Sequence, residues 1–177
     1  MNWPYWIEEE SGVSGKFKSE PEDFVVEEIP LYLPCGDGEH LYIRIEKAGL
    51  ATDQVVQRLA QNLRIKVRDI GYAGKKDRLG ITRQWLSLWN VQKSQIEELE
   101  VPGLRILEAA FHRNKLHQGH LAGNRFDIIL KHVEQGAGQK VNEIFRHLKH
   151  AGVPNYYGPQ RFGKRGDNAA IGAAILQ

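Results

Sequence analysis

Asp77 stands in the stretch GYAGKKDRLGITRQ, Gly71–Gln84, directly after Lys75 and Lys76 and directly before Arg78, with further glycines at Gly74 and Gly80. One acid stands among three bases, on a turn too rich in glycine to pack as core, which raises the question of what the acid is for, although in a short motif alone such an arrangement is usually a plain surface turn. A nucleotide P-loop is excluded: Gly74-Lys75 is followed by Lys76, and the first glycine is missing at the required spacing. A metal ligand is a poor fit, because a carboxylate ringed by cations does not attract another cation. The same neighbours favour the ionised form, so Asp77 is expected to titrate low. An ionised carboxylate serves as a nucleophile in enzymes that pass through a covalent glycosyl intermediate. Bases beside it can hold a phosphate backbone while the acid reaches a sugar or a base. The competing reading is a surface turn in which Asp77 pairs with its neighbours. A glycoside-cleaving pair needs a second carboxyl about 5–9.5 Å away, and nothing near Asp77 in the sequence names one.

Other residues carry weaker signals. His112, His117 and His120 with Cys35 match no standard zinc spacing, so no metal is expected. Charge is segregated although the net charge is only +2: residues 1–30 hold eight acids and two bases, residues 58–84 eight bases and two acids. Gathered on one face, that basic excess suits a polyanion; left scattered, it is a solvated surface paired with the acidic N-terminus. NYYGPQRFGKR interleaves Tyr156, Tyr157 and Phe162 with Arg161, Lys164 and Arg165, which suits RNA through joint stacking and phosphate contact or an ordered crossing between domains. The single cysteine permits no intrachain disulfide and fits a cytoplasmic setting. The opening MNWPYWIEEE lacks the features of a signal peptide, and the longest apolar run, Ala169–Leu176, is too short for a membrane span.

The elements that must position these residues follow from periodicity. Phe24–Ile29 reads as a strand. Leu41–Glu46 reads as another, with Leu41, Ile43 and Ile45 alternating against Tyr42, Arg44 and Glu46. Thr52 is the expected N-cap of a helix carrying Val55, Val56, Leu59 and Leu63 and ending near Arg64. Further strands are expected at 81–89, 104–111 and 125–130, and a short helix at 94–99. Gln139–His150 is the clearest helix, with Gly152 as its C-terminal cap and Pro154 blocking continuation. A small-residue helix follows Asp167 or Asn168. This irregular order predicts an α+β fold with a mixed, mainly antiparallel sheet flanked by helices.

Four segments, in order, carry a family resemblance. AGKKDRLGITRQ is similar to the active-site motif A-G-x-K-D-x-x-x-x-T-x-Q of the tRNA pseudouridine synthase D family. PEDFVVEEI resembles its D-F-x-V-x-E strand, RNKLHQGHLAGNRF its K-L-x-x-G-x-L-x-G-N-x-F stretch, and VPNYYGPQRFG the P-N-Y-F-G-x-Q-R-F-G segment that opens its inserted domain. The resemblance implies a pseudouridine-synthase-like sheet and an isomerase that converts a uridine of tRNA, typically at position 13, to pseudouridine. No cofactor is implied. Asp77 aligns with the catalytic aspartate. Phe24, Lys76, Asn124 and Phe126 align with substrate-contacting positions, although core packing is the alternative for both phenylalanines. Lys75, Arg78, Arg83, Lys115 and Arg161 are candidates for the RNA backbone. Thr82 and Gln84 are expected to hold the turn, and Tyr72 is a candidate proton acceptor by its nearness to the motif.

The target base must leave its stack, at a cost of a few kcal/mol, which aromatic faces and donors would offset. Residues 1–152 are expected to form the first part of the catalytic domain and 153–177 the start of the inserted domain. Family chains return to the catalytic domain after the insertion, so the fold is expected to be incomplete here, with the remaining C-terminal architecture a partner in cis or in trans. The alternative is a truncated, non-catalytic RNA-binding module.

Overall fold

A computed structural model describes residues 12–153, 155 and 166–176. They fall into two compact units, one spanning Gly15–His132 and the other comprising the described residues of Met1–Ser14 and Val133–Gln177. The first unit holds strands β1 (Phe24–Pro30), β2 (His40–Ala48), β3 (Ile70–Tyr72), β4 (Ile81–Trp89), β5 (Leu104–His112) and β6 (Leu121–Ile128), with helices α1 (Thr52–Leu63) and α2 (Lys93–Glu97). The second holds α3 (Ala137–Ala151) and α4 (Asn168–Leu176). Gly152 ends α3 with its N–H donating to the Leu148 carbonyl, and its φ of 78° needs a glycine, but at ψ 172° it lies outside the αL conformation expected of the cap. Among the described residues no helix is long and apolar enough to cross a membrane.

The strands form one six-stranded sheet in the order β5-β2-β4-β1-β6, with β3 joining β4 off that path. β1 and β4 are parallel and the other pairs antiparallel, the α+β fold with a mixed, mainly antiparallel sheet that the element order predicts. One face packs on α1: Leu41, Ile43 and Ile45 of β2 and Leu86 and Leu88 of β4 meet Val55, Val56, Leu59 and Leu63. The opposite face carries a smaller cluster of Tyr42, Ala73, Trp85 and Leu116.

Two details depart from the sequence reading. Ala51, not Thr52, takes the N-cap position of α1, and Gln54 Oε1 accepts the Ala51 N–H. Thr52 is the first helical residue, and its hydroxyl is turned into the interior. β6 begins at Leu121 rather than 125, because Gly123 and Asn124 pair with Ile29 and Glu28 of β1. β3, three residues long, is too short for periodicity to announce it.

That short strand shapes the site. β4 shares one edge between two partners: β1 takes Ile81–Arg83, and β3 takes Leu86–Leu88. Ala73–Gly80 leaves the end of β3 and enters β4 at this change of partner. The backbone N–H of Trp85, lying between the two pairings, donates to Glu28 Oε1 at 3.1 Å. Gly80 makes the close entry possible. Its φ is +114°, and a Cβ there would lie 2.3 Å from the Phe24 carbonyl oxygen.

Candidate active site

Sheet register aligns the site. Directly opposite residues share a face, so the pairs Lys47↔Thr82, Thr82↔Val26 and Val26↔Phe126 make one row across four strands on the α1 face. In the next row Ile45 pairs with Gln84 and Glu28 with Asn124. Phe24, two residues before Val26, lies on the same face, and its ring centroid is 6.1 Å from that of Phe126 at 57°. Asp23 fixes the start of β1. Buried, it accepts the Glu20 N–H at 2.9 Å and pairs with Lys131 Nζ at 2.8 Å. Hydrogen bonding from Lys131 holds the Asp23 carboxyl below its ordinary pKa.

The turn is pinned through its backbone. Thr52 Oγ1 accepts the Lys76 N–H at 2.8 Å and donates to Gln84 Oε1 at 2.9 Å, while Gln84 Nε2 donates to the Gly74 carbonyl at 3.3 Å. Gln84 therefore holds the turn by a side-chain hydrogen bond, as expected. The Thr82 hydroxyl, expected to hold the turn as well, does not: it is buried without a hydrogen-bond partner among the described residues.

The three bases flanking Asp77 in sequence engage other partners. Lys75 Nζ pairs with Asp53 at 2.8 Å, and Arg78 Nε donates to the Gly49 carbonyl at 3.0 Å. Lys76 turns inward, where its ammonium donates to Asn124 Oδ1 at 2.6 Å and sits 3.0 Å from Glu28 Oε2. That last contact is an ion pair off the line of a hydrogen bond, since Oε2 has no hydrogen-bond partner among the described residues. The cation beside Asp77 comes from another segment: Lys18 Nζ lies 3.3 Å from Asp77 Oδ2 and 3.9 Å from the centroid of the Phe24 ring. The Asp77 carboxylate itself is 72% exposed. The result is an open acid linked through Lys18 to the Phe24 ring, with a buried lysine tying the turn to the Asn124 strand.

Five of the sequence-derived residues, Phe24, Lys76, Asp77, Asn124 and Phe126, thus belong to one constellation. Lys75 and Arg78 lie on the same turn. Arg83 and Lys115 do not join it. Arg83 faces the opposite side of the sheet, in ion pairs with Glu46 at 2.8 Å and Glu27 at 3.7 Å, and Lys115 lies beside Gly71 and donates to the Arg68 carbonyl. Arg161 and the aromatic-basic segment around it lie outside the described residues. Tyr72 pairs with Leu86 on β3 and packs against the α1-side core. His112, His117 and His120 form a ring cluster with Tyr32, whose hydroxyl meets His120 Nδ1 at 2.7 Å. Among the described residues no group of three or more His, Cys, Asp or Glu is gathered to hold a metal.

Lys18, Glu28 and Lys47 escaped the sequence reading of the site. Glu28 sits in the D-F-x-V-x-E segment, and Lys18 gave no signal beyond its charge. Lys47 had one. It continues the inward phase of Leu41, Ile43 and Ile45, so a charge occupies a core-facing position. It is 1% exposed, and burial depresses its pKa from 10.5 to about 8, against the opposing pull of the Asp77 charge.

A family model described as tRNA pseudouridine synthase D (TruD) matches residues 1–177. A protein named tRNA pseudouridine synthase D from Geobacter metallireducens is 50% identical over 165 residues, covering 93% of this chain and 41% of its own. The protein of that name from Thermus thermophilus is 42% identical over 176 residues, covering 99% of this chain and 49% of its own. A crystal structure from Methanosarcina mazei with the same designation superposes with a TM-score of 0.84 at 28% identity, over 94% of this chain and 39% of that one. The chain thus spans less than half the length of these relatives.

Proposed function

The chain belongs to the tRNA pseudouridine synthase D family, and from that membership we propose that it carries the catalytic aspartate, Asp77, of an isomerase that converts a uridine of tRNA, the one at position 13, to pseudouridine. The observation that carries this reading is the exposed Asp77 carboxylate on a backbone-pinned turn, joined by Lys18 to the Phe24 ring of the Phe24–Phe126 pair, with the adjacent Lys76 bound to Asn124. An extruded uracil needs an aromatic face and polar partners. Phe126, 54% exposed, offers the face. Asn124, with Oδ1 taken by Lys76, keeps its amide N–H groups for a uracil carbonyl.

The reaction balances without a cofactor. The N1–C1′ bond breaks and C5–C1′ forms; C5 loses a proton and N1 gains one. An ionised Asp77 serves this by attack at C1′ or at C6, or by assisting loss of the base. Lys18 balances the carboxylate in the free protein and is proposed to meet a phosphate of bound RNA. Lys75 and Arg78 are proposed to contact the RNA backbone from the same turn. The same proposal takes residues 1–152 as part of the catalytic domain and 153–177, with Arg161, as the start of an inserted domain. The remaining length of the relatives is the proposed partner, in cis or in trans.

The test is incubation with uridine-labelled tRNA in the presence of a chelator. Pseudouridine is expected to form, and Asp77→Asn to lower the rate by about four orders of magnitude, as loss of a covalent catalyst does, with tRNA affinity changed less than about threefold. An Asp77→Asn variant as fast as the native protein would defeat the assignment. Salt-dependent tRNA binding without product from the native chain would select the non-catalytic RNA-binding module instead.

A further inference from the structure

Lys47 has a feature that neither the family motif nor the proposed reaction uses. It is a lysine in the α1-face row of the sheet, fully enclosed, whose ammonium meets backbone carbonyls. Nζ donates to Leu50 O at 2.7 Å and to Asp77 O at 2.8 Å, with Lys76 O at 3.5 Å. An ammonium has three donors and no acceptor, so these carbonyls use its hydrogen-bonding capacity. Two of the three belong to the turn residues Lys76 and Asp77. The third closes the β2–α1 connection, where Gly49 O also receives Arg78 Nε. No carboxylate of the protein pairs with Lys47 among the described residues, although the Asp77 charge acts on it and opposes the effect of burial.

A buried lysine serving only stability would be a poor choice. An apolar side chain of similar size would fill the same space without a desolvation cost. The position gains something an apolar side chain lacks, a fixed grip on the carbonyl of the residue whose carboxylate is exposed. Among the described residues the Asp77 side chain reaches only Lys18, from outside the turn, and the Thr52 and Gln84 bonds hold the turn at Lys76 and Gly74 rather than at Asp77 itself.

We propose that Lys47 is a positioning residue: by binding the carbonyls of Asp77 and Leu50 it sets the backbone of the turn and thereby the direction of the Asp77 carboxylate. This rests on the reading of Asp77 as the reacting acid. Lys47 touches neither substrate nor reacting atoms. It acts through geometry, in which a displacement of about 1 Å costs roughly a hundredfold in rate.

The experiment compares Lys47→Met, which keeps the stem and removes the ammonium, with Lys47→Arg, which keeps charge and donors, in the full chain. Two readouts are taken: amide hydrogen exchange of residues 74–79, and single-turnover pseudouridine formation with a tRNA transcript. For Lys47→Met the expected result is exchange at least tenfold faster in the turn with α1 and the β2–β4 pair unchanged. The rate falls about a hundredfold and tRNA affinity stays within threefold; Lys47→Arg recovers part of both losses. Native exchange and native rate in folded Lys47→Met would overturn the proposal. So would faster exchange spread evenly over the unit, which marks a merely structural role. Should Lys47→Met not fold, Lys47→Gln, which has no charge and fewer donors, takes its place and is judged by the same outcomes. Asp77→Asn separates the two claims. If it stays active, the catalytic reading fails while the exchange data still decide whether Lys47 holds the turn.

Discussion

On the α1 face the sheet buries Lys47, Lys76 and Glu28; one residue along the same strands, the opposite face sets Arg125, Glu27, Arg83, Glu46 and Arg105 side by side in alternating charge. In this second row Arg83 and Arg105 both pair with Glu46, and Arg44 bridges Glu27 and Glu108 from the neighbouring position. The Glu108 carboxylate raises the pKa of Arg44. Both sets mix acids and bases, and they differ in access to water. Charges in the exposed ladder exchange partners at little cost, because water replaces what is lost. On the α1 face Lys76 and Glu28 form a buried ion pair, and losing one strands the other. The ladder is therefore surface electrostatics, and the buried set is what orients the site.

The contrast breaks most clearly at Lys76. Lys76→Met leaves the Glu28 carboxylate buried without its ion pair and Asn124 Oδ1 without its donor; a loss of about 3–5 kcal/mol in unfolding free energy is expected by denaturant titration. Replacing Glu28 with Gln in the same variant recovers part of it, because the stranded charge is gone.

Lys47 sharpens the comparison through pH. Below about 8 it is charged in both folded and unfolded chains; between about 8 and 10.5 the folded protein has lost its proton while the unfolded chain keeps it. The unfolded state binds more protons there, so this group's contribution to stability rises with pH by at most about 1.4 kcal/mol per unit. Turnover is expected to decline over the same range as the grip on Asp77 weakens. Parallel melts and rate measurements, native against Lys47→Met, isolate the term.

Phe126 probes the open end of the α1-face row. Half-exposed, it contributes little to the core, so Phe126→Ala is expected to melt close to the native protein while RNA affinity falls by about 1–3 kcal/mol, the worth of one stacked base. An unchanged affinity would assign the ring to packing. The smallest effect belongs to the ladder: Arg105→Ala should cost about 0.2–1 kcal/mol and shrink further in high salt.

Much of this was legible in one dimension. The alternation of Leu41, Ile43 and Ile45, the α1 stripe of Val55, Val56, Leu59 and Leu63, and the glycine cap of α3 are local consequences of periodicity and backbone preference. The AGKKDRLGITRQ motif likewise marked Asp77, Lys76 and Gln84. Thr52 misled, because an N-cap signal is local while its hydroxyl was recruited by Gln84 and Lys76 across the fold. Arg83 looked like its basic neighbours, yet the period of two puts it on the face opposite Thr82 and Gln84.

The order of residues by itself determined which segments become strands and helices and which short motif carries the acid, since both depend on spacings of a few positions. Tertiary structure alone decided that β1 runs parallel to β4 and antiparallel to β6, that Lys18 rather than Lys76 faces Asp77, and that Lys47 grips the turn. Those outcomes depend on sheet register and on which charges lose their water, and both are set by contacts between segments far apart along the chain.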